Sequence, residues 1–204
     1  NFFFNLLKKE NLDFIVTAHH LNDELETFII NLSRGSGIKG LSGIPKNENR
    51  ILRPFLTFSK SEIYAFAEEN NIDFREDKSN QKDDYLRNKI RIKIVPKITE
   101  IFPNFLEQFG ESIGYLATVN QFFQEEIQKT FEEIFIDGNE SDFTLNKEIL
   151  FQKHKTIIIE IIRKLGFTGI EIEKIMSAEN GKFFRSSTHE ITIKRKEIHC
   201  KKRY

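Results

Sequence analysis

A short apolar run that passes straight into a polar helix start constrains this chain more than any other feature. Leu12-Asp13-Phe14-Ile15-Val16-Thr17-Ala18 is followed without a linker by His19-His20-Leu21-Asn22-Asp23-Glu24-Leu25-Glu26-Thr27-Phe28-Ile29-Ile30-Asn31-Leu32. Positions 21, 25, 28, 29 and 32 are apolar at helical spacing, so the pattern predicts strand, turn and helix in immediate succession. In an open α/β sheet this is where strand C-termini and helix N-termini converge and where ligands sit. With Phe2 to Lys9 read as the tail of an earlier helix, residues 1 to 80 are expected to be the later part of a parallel α/β domain.

The next segment, Ser33 to Pro45, holds Gly35, Gly37, Gly40 and Gly43, too many glycines for a helix or a strand, and is expected to be a loop. Ile51 to Leu56 reads as extended, and Ser59-x-x-Glu62 caps a helix ended by Asn70-Asn71. Ile72-Asp73-Phe74-Arg75 alternates like a strand and runs into the turn sequence Asp77-Lys78-Ser79-Asn80. From Asp84 to about Ile101 the pattern is helical, with Pro96 expected to kink or split it. A longer helix follows Pro103-Asn104, its Phe-rich stripe read as core rather than as a binding surface. After a break at Asp137-Gly138-Asn139 come two helices, Ile157 to Leu165 and Gly169 to Ala178, and strand-like ends at 183–185, 190–194 and 198–200. The fold class is therefore α/β. The expected divisions are the remainder of a parallel-sheet domain over 1–100, a helical arm over 101–137 and a small α+β region over 138–204.

Composition limits the function classes. Lys plus Arg and Asp plus Glu both count 31 in 204 residues, so no global basic field advertises a nucleic acid and any such contact must be local. The lone Cys200 excludes an intrachain disulfide framework and a Cys-ligated cluster built from this chain alone, and fits a cytoplasmic setting. No apolar run approaches the ~20 residues of a membrane span, so no membrane partner is expected. Met176 is the only methionine, and the chain is accordingly expected to be part of a longer protein. Nothing fixes the oligomeric state, and a homodimer stays open.

Three elements carry candidate chemistry. On the first helix His19, Asp23 and Glu26 are spaced by four and three, and His20, Asp23 and Thr27 by three and four, which puts imidazoles, two carboxylates and a hydroxyl on one side. Asp23 and Glu26 are the candidate Mg²⁺ ligands, since carboxylates plus substrate phosphates are the usual Mg²⁺ arrangement; a solvated helix start with acids near the N-terminal dipole has the same spacing. Arg34-Gly35-Ser36-Gly37 could offer backbone N–H groups and a guanidinium fork to a phosphate. Arg87 through Lys97 has five bases and no acid, with Arg87 and Arg91 on one face and Asn88 adjacent, which suits an anionic substrate or an RNA backbone and equally a solvated basic face.

Taken in order, His19-His20-x-Asn22-Asp23-x-x-Glu26-Thr27, Arg34-Gly35-Ser36-Gly37-x-x-Gly40-Leu41, Arg53-Pro54, Asp77-x-Ser79-Asn80 and Arg87-Asn88-x-x-Arg91 with Pro96 resemble the tRNA(Ile)-lysidine synthetase family of PP-loop ATP pyrophosphatases. The resemblance is specific over residues 12 to 103 and weaker through the helical arm. It implies an adenine nucleotide α-hydrolase-like domain and an ATP-dependent ligase that joins L-lysine to C2 of the wobble cytidine in the CAU-anticodon tRNA(Ile), so that AUA rather than AUG is read. By the same resemblance Asp23, Glu26, Arg34 and Arg91 are the catalytic candidates. His19, His20, Thr27, Gly35, Ser36, Gly37, Asp77, Ser79, Asn80, Arg87 and Asn88 would bind nucleotide, phosphate or substrate. ATP and Mg²⁺ are the implied cofactors. The family's Ser-Gly-Gly-x-Asp-Ser loop does not occur in these residues and is expected upstream, which predicts that the chain alone is inactive. Three other readings remain. A sister PP-loop 2-thiocytidine synthetase would need cluster cysteines, a non-catalytic RNA-binding module would use Arg87 to Lys97 and Lys194 to Arg203, and a metal-dependent hydrolase would bind a transition metal through His19, His20, Asp23 and Glu26.

Overall fold

The computed structural model describes residues 2–75 and 86–203. The chain forms two compact units, Asn1–Asn120 and Gln121–Tyr204. In the first, helix α1 (Phe2–Lys9) leads to strand β1 (Ile15–Val16), which pairs in parallel with β3 (Ile51–Leu52); β2 (Asn47–Glu48) adds an antiparallel edge to give the order β1-β3-β2. The β2–β3 hairpin turns on Asn49 and Arg50, both at positive φ, the twist a two-residue connection requires. Arg50 then donates its Nε to the Asp13 carbonyl (2.7 Å) and Nη2 to that of Leu12 (2.6 Å), so the turn is tied to the entry of β1.

Helix α2 (Leu21–Ser33) follows β1 as the sequence predicts, and α3 (Ile38–Leu41) is a single helical turn within the segment expected to be loop throughout. The turn packs tightly at Gly40, which lies against the Ser36 side chain where a Cβ would have no room. Ser59 caps α4 (Lys60–Glu69), its Oγ accepting from the Glu62 N–H (3.1 Å) while Glu62 Oε2 accepts from the Ser59 N–H (2.7 Å). Ile72–Arg75 joins no strand ladder, contrary to the alternation; Phe74 instead stacks on Tyr64 of α4 at 4.8 Å between ring centres. Helix α5 (Leu86–Lys89) runs through a π-helical turn (Ile90–Ile94) into α6 (Val95–Ile101). The regular α-helix is thus divided just before Pro96, as expected, by a π-helical turn rather than by a break in the chain's helical course. The widened turn just before it takes up the missing N–H and the ring, which would clash in a regular α-helix interior.

Helix α7 (Phe105–Ile134) contributes its first half to one unit and its second half to the other. Within the first unit Phe109 and Ile113 pack with Leu21 and Leu25 of α2 in a small apolar core, which gives α2 a buried side opposite its polar one. Within the second, Ile127 and Ile134 join the larger core, so the Phe-rich stripe is packing surface as read from its period. That core lies between helices α8 (Lys147–Gln152), α9 (Lys155–Lys164) and α10 (Ile170–Met176) and an antiparallel sheet of β4 (Phe135–Gly138), β5 (Asp142–Asn146), β6 (Phe183–Arg185), β7 (His189–Ile193) and β8 (Glu197–Lys202), ordered β4-β5-β8-β7-β6. In β5, β7 and β8, Phe143, Leu145, Ile191, Ile193, Ile198 and Cys200 alternate onto the buried face. Among the described residues no helix is long and apolar enough to cross a membrane.

Candidate functional site

The first turn of α2 is fixed by three local bonds. His20 N–H donates to Asp23 Oδ2 (3.1 Å), Leu21 N–H to the Phe58 carbonyl (2.9 Å), and Asn22 Oδ1 accepts from the Lys60 N–H (2.8 Å), so the starts of α2 and α4 are held side by side. Thr27 Oγ1 returns a bond to the Asp23 carbonyl (2.8 Å). Asp23 and Glu26 then emerge on one side of the helix, three residues apart.

Arg87 and Arg91, four apart on the α5 segment, meet them there. Arg87 donates Nε to Glu26 Oε2 (2.7 Å) and Nη2 to Asp23 Oδ1 (3.0 Å) and to the Asp23 carbonyl (3.2 Å). Arg91 grips Glu26 with both forks, Nε to Oε1 (2.6 Å) and Nη2 to Oε2 (2.9 Å), and reaches Asp23 Oδ1 at 3.3 Å. The Glu26 side chain is 2% exposed, against 38% for Arg87 and 31% for Arg91. Two guanidiniums pair with this deeply buried carboxylate and supply hydrogen bonds to both of its oxygens. Hydrogen bonding to Glu26, ahead of its partial burial, moves the Arg91 pKa up from its usual value.

The surroundings of His19 and His20 disfavour their charged forms. Burial, opposed by the Asp23 charge, lowers the pKa of both His19 and His20 from 6.5. His19 Nδ1 pairs with Thr17 Oγ1 (2.9 Å), and His20 Nε2 faces Asp23 Oδ2 at 3.4 Å. His20 Nδ1 is buried with no hydrogen-bond partner among the described residues.

This geometry does not fit the expectation that Asp23 and Glu26 hold Mg²⁺. Both oxygens of Glu26 and Oδ1 of Asp23 already accept from arginines, and Oδ2 of Asp23 accepts from the His20 N–H. A cation placed there would displace Arg87 or Arg91. Nor, among the described residues, do three His, Cys, Asp or Glu side chains come together as a metal site. The five-base run is likewise altered: Arg87 and Arg91 are neutralised across the helix pair, and Lys89, Lys93 and Lys97 stay exposed.

Arg34, Gly35, Ser36 and Gly37 are not brought into this cluster. Arg34 ends α2 eleven residues beyond Asp23, a distance of about 16 Å along the helix axis. Asn88 is half-buried beside Arg87, and Asp77, Ser79 and Asn80 lie outside the described residues.

Sequence reasoning missed Glu24. It is 6% exposed and its Oε1 accepts from the Ile44 N–H at 3.1 Å, which fastens the far end of the glycine segment to the first turn of α2. Gly43, at φ +85°, is what lets the chain come so close, because a Cβ there would collide with Glu24 Oε1 and sit 3.0 Å from Ile113 Cγ1. Burial, only partly offset by the Ile44 bond, pushes the Glu24 carboxyl up to about 7. The signal was available: Glu24 falls at i+3 from Leu21 and i−4 from Phe28, an acid on the apolar stripe.

An acid–arginine cluster at the start of a helix that follows a parallel strand, with a separate antiparallel unit later in the chain, is the setting in which comparison with known proteins is informative. Residues 1–98 match the model of the PP-loop domain, and residues 137–203 match that of the TilS substrate binding domain. The chain is thus a PP-loop protein. Among its relatives, the tRNA(Ile)-lysidine synthase of Parabacteroides distasonis is 31% identical over 177 residues, which is 85% of this chain and 40% of the relative. That of Clostridium perfringens is 38% identical over 168 residues (81% and 35%), and that of Bacillus subtilis 31% over 153 (73% and 32%). Within the PP-loop class the chain belongs to the tRNA(Ile)-lysidine synthase family, and it spans at most about two fifths of the length of these relatives.

Proposed function

We propose that this chain is the part of a tRNA(Ile)-lysidine synthase that carries the acid–arginine cluster and a tRNA-binding region, in an enzyme that uses ATP to join L-lysine to the wobble cytidine of the CAU-anticodon tRNA(Ile). The observation that carries the reading is the occurrence in one chain, and in this order, of a PP-loop domain and a TilS substrate binding domain. In the first step the cytidine O2 attacks the α-phosphorus of ATP and pyrophosphate leaves. In the second the ε-amine of lysine attacks C2, AMP leaves with the O2 oxygen, and the amine proton is lost.

The chain's own residues supply positioning and charge. Asp23 and Glu26 act as positioning residues that hold Arg87 and Arg91 in fixed places, and the two guanidiniums meet the charge that builds on the transferring phosphoryl group. His20 keeps Asp23 in place, while His19 and Thr27 orient the same turn. Arg34 with Gly35, Ser36 and Gly37 is a second contact at the far end of α2. By their place in the motif, Asp77, Ser79, Asn80 and Asn88 are assigned to substrate binding. Mg²⁺ enters only as the ion that ATP brings on its phosphates, and neither Asp23 nor Glu26 is assigned to it. The α+β region, 138–204, is the tRNA-binding part.

The test is turnover by the complete enzyme. Arg91→Ala is expected to lower kcat for lysidine formation at least about 100-fold, the scale for removing one donor to a developing oxyanion, with the circular dichroism spectrum unchanged. Near-normal turnover would refute the role of Arg91. Binding of tRNA without release of AMP and pyrophosphate by the parent would instead favour a non-catalytic RNA-binding module.

A further inference from the structure

We infer that the β7–β8 hairpin tip is a docking point for an RNA phosphodiester backbone, an inference that rests on the tRNA-modifying function proposed above. The connection between the two strands is Lys194-Arg195-Lys196, three consecutive cations, all exposed. Tight connections favour glycine, asparagine and aspartate for conformational reasons, and adjacent like charges repel, so the fold itself gains nothing from these residues.

Neighbouring backbone bonds bring further charge to the same tip. Ile193 N–H donates to the Lys182 carbonyl (2.8 Å) and Lys147 N–H to that of Lys196 (2.9 Å), which places five cationic residues around one turn. The acids nearby are Glu148, Glu179 and Glu197. Of these only Glu148 comes within ion-pair range of a tip cation, at 3.8 Å from Lys196 Nζ, and among the described residues Lys147, Lys182, Lys194 and Arg195 have no carboxylate within that range. The opposite end of the sheet is built differently: Glu190 pairs with Arg185 at 2.8 Å and with Arg203 at 3.8 Å, so its guanidiniums are already committed. Lys201 and Lys202 at that end are exposed without an ion pair among the described residues, but the tip is where five cationic residues gather around one turn, four of them without a carboxylate in range. An extended polyanion with regularly spaced single charges fits a row of three adjacent cations, and phosphate contacts of this kind position a nucleic acid without reading its sequence.

The experiment compares the complete protein with Lys194→Gln/Arg195→Gln/Lys196→Gln, and with Arg185→Gln/Lys202→Gln at the other end, by filter binding of CAU-anticodon tRNA(Ile) from low to high salt. Because all three tip side chains are exposed, the triple variant should fold normally. It is expected to bind at least about tenfold more weakly at 0.1 M salt, with the slope of log K against log salt reduced by about 2 to 3, whereas the opposite-end variant keeps most of both. Unchanged affinity and slope in the triple variant, with the parent binding normally, would overturn the docking point and leave the proposed function standing. A parent that binds no tRNA would overturn both.

Discussion

Replacing Glu24 by Gln removes a charge that the fold holds at a cost, and the sign and size of that cost follow from the site. The carboxyl is 6% exposed, its one hydrogen-bond partner among the described residues is the Ile44 N–H, and burial raises its pKa from 4.5 to about 7. Because the folded state holds this proton more tightly than the unfolded chain, the contribution of Glu24 to stability is most favourable below pH 4.5. It falls as pH rises towards 7 and is level above that. At about 1.4 kcal/mol for each tenfold in proton affinity, the rise comes to about 3 kcal/mol. Glu24→Gln keeps an oxygen for the Ile44 N–H and carries no charge. The stability difference between variant and parent is therefore expected to grow by about 3 kcal/mol, in favour of the variant, between pH 4.5 and pH 8. Urea unfolding followed by tyrosine fluorescence is a suitable assay, because Tyr64, Tyr85 and Tyr115 fall in the first unit and only Tyr204 in the second. Other carboxylates titrate alike in both proteins and cancel in the difference. Any misfit of the new amide is constant with pH. A difference that stays flat from pH 4.5 to 8 would refute the argument that Glu24 is buried as an uncompensated acid.

Two further outcomes follow from burial elsewhere. Glu26→Ala strands Arg87 and Arg91 against Asp23 alone and should cost about 3 kcal/mol in the same urea assay. That is the low end for breaking a buried ion pair, because both guanidiniums keep about a third of their surface in water. Cys200 is fully buried and its thiol is pushed up to about 12, so the native protein should resist iodoacetamide at pH 8 and react at full rate only in denaturant; rapid native alkylation would show the second unit's core to be open.

The parts of the fold that were legible are those in which periodicity and capping agree. Helix α2 with its buried Leu21 and Leu25, α4 behind Ser59, α7 with its stripe, and α9 and α10 all follow patterns local to their own residues. Strand β5 went unread, because it pairs with β8 through Phe143 with Cys200 and Leu145 with Ile198, more than fifty residues away, and β4 pairs only with β5; helix α8 went unread although the Asn146 side chain caps it locally. Ile72–Arg75 failed for the opposite reason, since alternation without a partner strand fixes nothing. At the site, residue identities were legible and their pairing was not. Asp23 with Glu26, and Arg87 with Arg91, each read as one face of one helix, but that the two faces meet is a tertiary fact.

That meeting changes what the acids do. Two helix faces could have been joined at this point by leucines with far less desolvation, and replacing buried ion pairs by apolar residues of similar size is often neutral or stabilising. Stability therefore does not explain a carboxylate 2% exposed between two arginines. What apolar residues cannot do is hold two always-charged, planar guanidiniums at fixed positions beside the start of a helix, ready for an anion without reorganisation. The cluster as a whole carries no net charge, so it attracts no phosphate from a distance. It favours only one brought into contact by other parts of the protein, which is why the proposed binding at the β7–β8 tip and the proposed chemistry at Arg87 and Arg91 can be assayed as separate events.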